Sequence, residues 1–270
     1  MKLRGIFFIA VPVIVAVAVI TIGGYVFMIR GIPFASKGPA GEKTGKKEII
    51  KNFDFSSASQ LKEWEEKNLA EDDTGYETAE YGGKSGVKAE SANSASALYF
   101  KHRLNRERDP FLSWKWRAGE FPSYGNEDLG DKDEFDFVAQ VYVIFQSKFF
   151  LNTKAIQYVW TRDIPEGTVA QSPYTKNVRL LVLESGPSEE WKHEDRDIKS
   201  DFEELFGENL EKDVAAVAFM TDSDSTDSEA SAFYTDISIG YLGSKEEDVQ
   251  AKKKKMPGEV EVKKRVTTEE

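Results

Sequence analysis

From Ile49 to Leu242 apolar side chains recur at every second position in short runs, and Gly, Pro, Asn, Asp and Ser separate the runs. A period of two is the signature of strands with one buried face. Over Phe111–Arg117, Leu112, Trp114 and Trp116 point one way and Ser113, Lys115 and Arg117 the other. Phe135 to Phe145 is the longest such run. Phe135, Phe137, Ala139, Val141, Val143 and Phe145 share a face, and Asp136, Val138, Gln140, Tyr142 and Ile144 share the other. Both faces are partly apolar, which predicts a central strand, with Gln140 and Tyr142 on a concave recognition surface. Further strands are predicted over 49–55, 76–81, 87–90, 95–101, 156–160 and 178–183. Ser57 or Ser59 can cap a short helix carrying Leu61 and Trp64, and a second short helix over 197–206 stops at Gly207. The small and branched residues of Val214–Met220 enter an acidic loop, and an alternating strand ending at Leu242 leaves it, which predicts a hairpin. Long loops are expected over 119–134, between Asp163 and Pro173, and around His193. Many short strands with turns every eight to twelve residues predict an all-β antiparallel sandwich over 48–243, with one or two short helices.

The period changes at both ends. Gly5 to Ile29 is a run of 25 residues without a charge, enough to span a hydrocarbon core of about 30 Å as a helix. Residues 1–30 are therefore expected to be an uncleaved transmembrane signal anchor. Gly, Pro, Ser and Lys over 31–47 make a basic flexible linker, and the Lys-rich segment 244–270 reads as a charged disordered tail. Counting Lys and Arg on each side of the apolar run would leave the domain in the cytoplasm, whereas the short basic start argues for export.

Charge narrows the partners. The net charge of −11 conceals +6 over 1–47, −18 over 48–243 and +1 over 244–270. An acidic domain repels phosphate backbones, so nucleic acid is not an expected partner, while the basic flank suits anionic headgroups. The chain has no Cys and only two His, His102 and His193. That excludes disulfides, thiolate chemistry and a zinc site built on several His.

Asp222, Asp224, Asp227 and Glu229 form the densest group of oxygen ligands. Asp222 and Asp224 have the spacing of the first two ligands of a calcium loop, and they are the candidate metal ligands, with Ca2+ as the cofactor. An EF-hand is excluded, because the sixth position is Asp227 instead of Gly and the twelfth is Phe233 instead of Glu. The competing reading is that Asp, Ser and Thr here only make turns by bonding their own backbone. Trp116, Gln140, Tyr142, Trp160 and Asp236 are the candidate ligand-binding residues, although paired Trp residues on an alternating strand also suit a core. Glu134 and Asp136 begin a two-carboxylate glycosidase pattern, but no third acid follows. A Ser-His-Asp set would need His102 or His193, and His193 reads as a surface residue.

Several blocks are shared with a bacterial family. Leu112–Arg117, Ala139–Phe145, Tyr158–Trp160, Leu183–Gly186, Trp191–Asp197, Phe206-Gly207, Met220–Asp224 and Tyr234–Ile237 together resemble DUF3047, over roughly 48–242. Gln140 departs from it, standing where a basic residue is expected, and so does Asp227, standing near an expected Gly. The strand order is also similar to galactose-binding-like and jelly-roll carbohydrate-binding modules. The resemblance implies a jelly-roll-like sandwich and an envelope-associated, exported protein. It therefore places the domain on the periplasmic side of the inner membrane, held by one pass. It implies no chemistry. Three functions remain in view: a non-enzymatic module that binds a glycan or another cell-wall component; a structural protein that assembles with an envelope partner; and, ranked last, an envelope glycoside hydrolase. The binding module is favoured over an enzyme.

Overall fold

The computed structural model describes residues 46–148 and 152–243. The expected anchor (1–30), all of the linker but Lys46 and Lys47, and the tail (244–270) lie outside the described residues. Among the described residues no helix is long and apolar enough to cross a membrane. The strands in chain order are β1 (Glu48–Phe53), β2 (Glu65–Asn68), β3 (Gly75–Tyr81), β4 (Lys84–Ala92), β5 (Ala95–Leu104), β6 (Pro110–Ala118), β7 (Ala139–Phe145), β8 (Ala155–Thr161), β9 (Val169–Gln171), β10 (Val178–Ser185), β11 (Lys192–Asp197), β12 (Val214–Asp222) and β13 (Glu229–Tyr241). Two short α-helices accompany them, α1 (Ala58–Leu61) and α2 (Ile198–Phe206).

The strands form two sheets. One runs β11-β6-β13-β4-β3, with β1 also on β13, and the other runs β2-β5-β12-β7-β8-β10-β9. The expected two-layer all-β sandwich is present. It departs from a purely antiparallel arrangement at β8 and β10, which pair in parallel. The inward alternation of both sheets fills one core. Leu112, Trp114, Trp116, Tyr234 and Ile239 from the six-stranded sheet meet Leu98, Phe100, Val141, Tyr158, Trp160 and Phe219 from the seven-stranded sheet.

Local chemistry explains the helices. Ser57 accepts a hydrogen bond from the Ser59 amide at the start of α1, and Asp197 accepts one from Ser200 at the start of α2. Gly207 ends α2 at φ 68°, a left-handed cap that L side chains resist. Gly240 has a different role: a Cβ there would fall 1.9 Å from the Glu48 carbonyl and 2.9 Å from the Phe111 ring. Backbone cannot yield as a side-chain tip can, so Gly240→Ala must push β1 off β13. It is expected to lower stability by about 1–3 kcal/mol, measured by urea unfolding. Unchanged stability would show that β1 tolerates the displacement.

Three expectations change. First, β12 and β13 do not form a hairpin. β12 pairs with β5 and β7, whereas β13 pairs with β1, β4 and β6. The acidic loop is a crossover from one sheet to the other. Second, the strand expected from Phe135 starts only at Ala139, preceded by a 3-10 turn at Lys132–Glu134. Phe135 and Phe137 fold over the outer face of the seven-stranded sheet, onto Ile144, Val159, Leu180 and Val182. The apolar "second face" of β7 is therefore covered by the residues just before it in the chain. Third, the loop around His193 is an edge strand, β11, antiparallel to β6.

Candidate functional site

The crossover is where chemistry collects. Thr221 and Asp222 end β12 beside residues 136–138, which lead into β7. The Thr221 hydroxyl donates to the Val138 carbonyl (2.8 Å), and the Phe137 amide donates to Asp222 Oδ1 (2.8 Å). Tyr234 of β13 donates from its hydroxyl to the Met220 carbonyl (2.6 Å) and accepts from the Gln140 amide (3.2 Å). These bonds join both sheets at one point. Asp136, fully buried, holds the loop from the other side. Its Oδ2 accepts from the Thr226 amide and hydroxyl (2.7 Å each), and its Oδ1 accepts from the Ser225 amide (3.2 Å). Asp227 takes the turn at φ 47°, a left-handed conformation that Asp adopts with less strain than most residues.

This folding brings together Asp136, Asp222 and Asp224. One carboxylate oxygen from each lies within 4.8 Å of the others. Asp136 and Asp222 are buried and Asp224 is exposed, so the cluster opens on one side. Burial and then the Asp136 charge push Asp222 well above the usual carboxylate range. Burial raises Asp136 against the pull of its hydrogen bonds from Thr226 and Ser225. Asp224, exposed on its outer side, is raised by the desolvation of its inner side and then by the Asp136 charge. Three carboxylates this close cannot all ionise without a counter-charge. An all-oxygen set of this kind suits a hard cation such as calcium or magnesium. The expected pair, Asp222 and Asp224, is thus brought together, and Asp136 is the member that sequence spacing missed. It lies 86 residues away from Asp222 in the chain, so no local motif could reveal it.

A polar relay leads from this cluster along the outer face of the seven-stranded sheet. Gln140, 1% exposed, donates from its side-chain amide to Asp222 Oδ1. Its carbonyl accepts from the Tyr142 hydroxyl and the Gln157 amide (2.7 Å each). Tyr142 is half-buried. In register, Ala218 of β12 lies between Tyr99 of β5 and Tyr142 of β7. Tyr99 is 6% exposed, with its hydroxyl donating to Glu65 and Lys101 lying over its ring, so of the two phenols it is Tyr142 that reaches the surface. Ala97 and Met220, both buried, pack against Tyr142 between it and the carboxylates' strand end.

The other expected ligand-binding residues lie elsewhere. Trp116 and Trp160 are fully buried in the core, with ring centroids 5.7 Å apart, so neither offers a face to a ligand. Their inward direction follows from the same alternation that predicted the strands. Asp236 sits on the other sheet, at a bulge between Thr235 and Ser238, where Lys115 (2.7 Å) and Lys84 (3.8 Å) engage it. It does not join Gln140 and Tyr142. The acids of the glycosidase-like pattern also separate: Glu134 accepts from the Gly125 amide, while Asp136 caps the crossover. His193 does find a hydroxyl, Ser113 Oγ at 2.9 Å from Nε2, on the outer face of the six-stranded sheet.

The profile of the family described as "Protein of unknown function (DUF3047)" matches residues 62–238. The chain belongs to the DUF3047 family. The crossover, its three carboxylates, Gln140 and Tyr142 all lie within the DUF3047 match. No curated protein matches the chain. Among solved structures, the family 11 carbohydrate-binding module of the Clostridium thermocellum cellulase Lic26A-Cel5E is similar, with 7% identity and a TM-score of 0.40 over 74% of this chain and 97% of that one. The carbohydrate-binding module TmCBM27, described as recognising mannan, shows 9% identity and a TM-score of 0.34, covering 74% and 99%. A family 30 module of the Clostridium thermocellum cellulase Cel9D-Cel44B shows 12% and 0.31, covering 73% and 94%. These identities and TM-scores are too low to transfer a ligand to this DUF3047 domain.

Proposed function

We propose that this DUF3047 domain is a non-enzymatic binding module for a polyhydroxylated ligand, a glycan or other cell-wall component. The ligand lies on the outer face of the seven-stranded sheet, beside a cation held by Asp136, Asp222 and Asp224. The observation that carries this reading is the half-buried Tyr142 ring beside the Gln140–Asp222 relay and the open side of the carboxylate cluster. A phenol ring offers flat apolar contact to the C–H face of a sugar, and neighbouring hydroxyl, amide and carboxylate groups exchange hydrogen bonds with its hydroxyls. The hydrogen bonding of the acids favours binding over catalysis. Asp136 already accepts three bonds and Asp222 Oδ1 two, which suits holding a shape more than shuttling protons. The domain works outside the cytoplasm, tethered to the inner membrane by the uncharged segment Gly5–Ile29. Reporter fusions at the C-terminus test that orientation.

Calorimetry with soluble β-glucans, mannans and peptidoglycan fragments, with and without calcium, tests recognition. Binding that Tyr142→Ala weakens at least tenfold supports it. Failure of every fragment to bind in both conditions rejects it.

The cation site makes a separate prediction about pH. Unfolded Asp ionises near 4, and all three folded carboxyls sit higher. Above pH 4 the cation-free folded state therefore holds more protons than the unfolded chain. Its stability is greatest below that pH and falls as pH rises. Calcium replaces those protons, so its stabilising effect should be absent near pH 4 and large at pH 8. It should approach about 2.7 kcal/mol at a hundredfold excess over Kd. Urea unfolding with calcium or with chelator at both pH values checks this. An equal gain in Asp222→Asn, or none at pH 8 in the native sequence, would remove the site from the proposal.

A further inference from the structure

We infer that Glu184 and Glu194 form a proton-dependent clasp that fastens the edge strand β11 across the open side of the sandwich. The two residues come from different sheets. Glu194 stands on β11 opposite Trp114, and its Oε1 accepts from Trp116 Nε1 (3.3 Å). Glu184 follows a bulge in β10 and stands opposite Trp160. The rings of Trp116 and Trp160 pack together, and above them the two carboxyl groups come into hydrogen-bonding contact. Two carboxylates have four acceptor oxygens and no donor, so the contact requires a bound proton.

Two cations, Lys192 and Arg196, oppose that protonation, and burial with the mutual charge outweighs them. Lys192 Nζ lies 3.8 Å from Glu184 on the solvent side, and its own side chain is 34% exposed. Glu166, before β9, adds a further negative charge. Arg196, two residues along β11, is committed to Asp201 of α2, to which it donates from Nε (2.8 Å) and Nη2 (2.6 Å). Tyr158 of β8 donates its hydroxyl to the same Asp201 (2.6 Å). Burial first, and then the Glu184 charge, push Glu194 up to about 8, while burial also raises Glu184. Because they share a proton, the two titrate as a pair.

Among the described residues β11 is the end strand of its sheet and pairs only with β6. Ionising both acids places two like charges between it and β10. The sign is that of a raised carboxyl: the clasp's contribution is complete below about pH 4, where unfolded Glu also binds its proton. It declines as pH rises to about 8 and is gone above that.

The test uses the full chain in detergent micelles, with the indole N–H resonance of Trp116 assigned through Trp116→Phe. This proton points at Glu194, so it should shift with a midpoint near pH 8. In Glu194→Gln, whose amide can donate to Glu184 at any pH, the shift should vanish. In Glu184→Gln the midpoint should fall by about one unit or more, because the like charge is gone. Amide exchange in β11, corrected for the intrinsic pH effect, should accelerate at least tenfold between pH 6 and pH 9.5 in the native sequence and stay level in Glu194→Gln. A Trp116 resonance that does not titrate, or a midpoint unmoved in Glu184→Gln, overturns the clasp. Equal β11 exchange at both pH values overturns its role in fastening the strand.

Discussion

Asp201→Ala is expected to destabilise the domain by about 3–5 kcal/mol, the usual cost of stripping a partner from a buried ion pair. Asp201 is 4% exposed and lies in the first turn of α2. Its two oxygens accept both arms of the Arg196 guanidinium and the Tyr158 hydroxyl. Without it, the Arg196 charge stays over the Tyr158 ring at 5.7 Å and loses the carboxylate that both its arms bond, with Glu194 a weaker, partly protonated substitute. Tyr158, itself fully buried, loses its acceptor at the same time. Asp201→Asn should cost less, because the amide oxygen can still accept one bond. Replacing both Arg196 and Asp201 with apolar residues of similar volume should recover most of the loss, since no charge is then left buried. Urea unfolding of the four proteins measures the series. If Asp201→Ala costs under about 1 kcal/mol, the pair is not the internal brace that its geometry describes.

Phe219→Ala should cost a similar amount, about 3–5 kcal/mol, for a different reason. Phe219 is fully buried in the middle of β12. Its ring touches Trp64 (4.9 Å), Tyr234 (4.6 Å), Tyr76 (6.0 Å) and Phe55 (6.3 Å). Those residues come from the facing six-stranded sheet and from the segments flanking α1, so truncation opens a cavity that no single element can move to fill. Phe219→Leu keeps most of the volume and should lose much less. The urea dependence should stay unchanged across the series, with only the midpoint moving. A loss below about 1.5 kcal/mol for the Ala variant would mean the aromatic cluster collapses into the gap.

Much of this architecture was legible because its cause is local. The alternation Leu112-Ser113-Trp114-Lys115-Trp116 requires a strand with two Trp residues on one side, and burial then places both in the core. The C-terminal cap of α2 was equally legible, since Gly207 takes the left-handed conformation that ends the helix. The same periodicity overreached at Phe135 and Phe137. Alternation records which residues want burial, but not which surface buries them, and here it is the outer face of the neighbouring strands. β11 was missed because its charged sequence, Lys-His-Glu-Asp-Arg-Asp, is stabilised by Arg196–Asp201, the Glu184 contact and Ser113, all supplied from elsewhere.

By itself, the chain's pattern determined the all-β class, two layers, the left-handed stop at Gly207 and an oxygen-rich loop after β12. These follow from side-chain period and turn chemistry acting within about ten residues. Only the tertiary structure decided that β12 and β13 belong to opposite sheets, that Asp136 completes the group begun by Asp222 and Asp224, and that Gln140 links this group to Tyr142. Those outcomes depend on which strand edges find one another across the sandwich. Pairing energy of that kind is shared among distant segments, so no single stretch of sequence carries it.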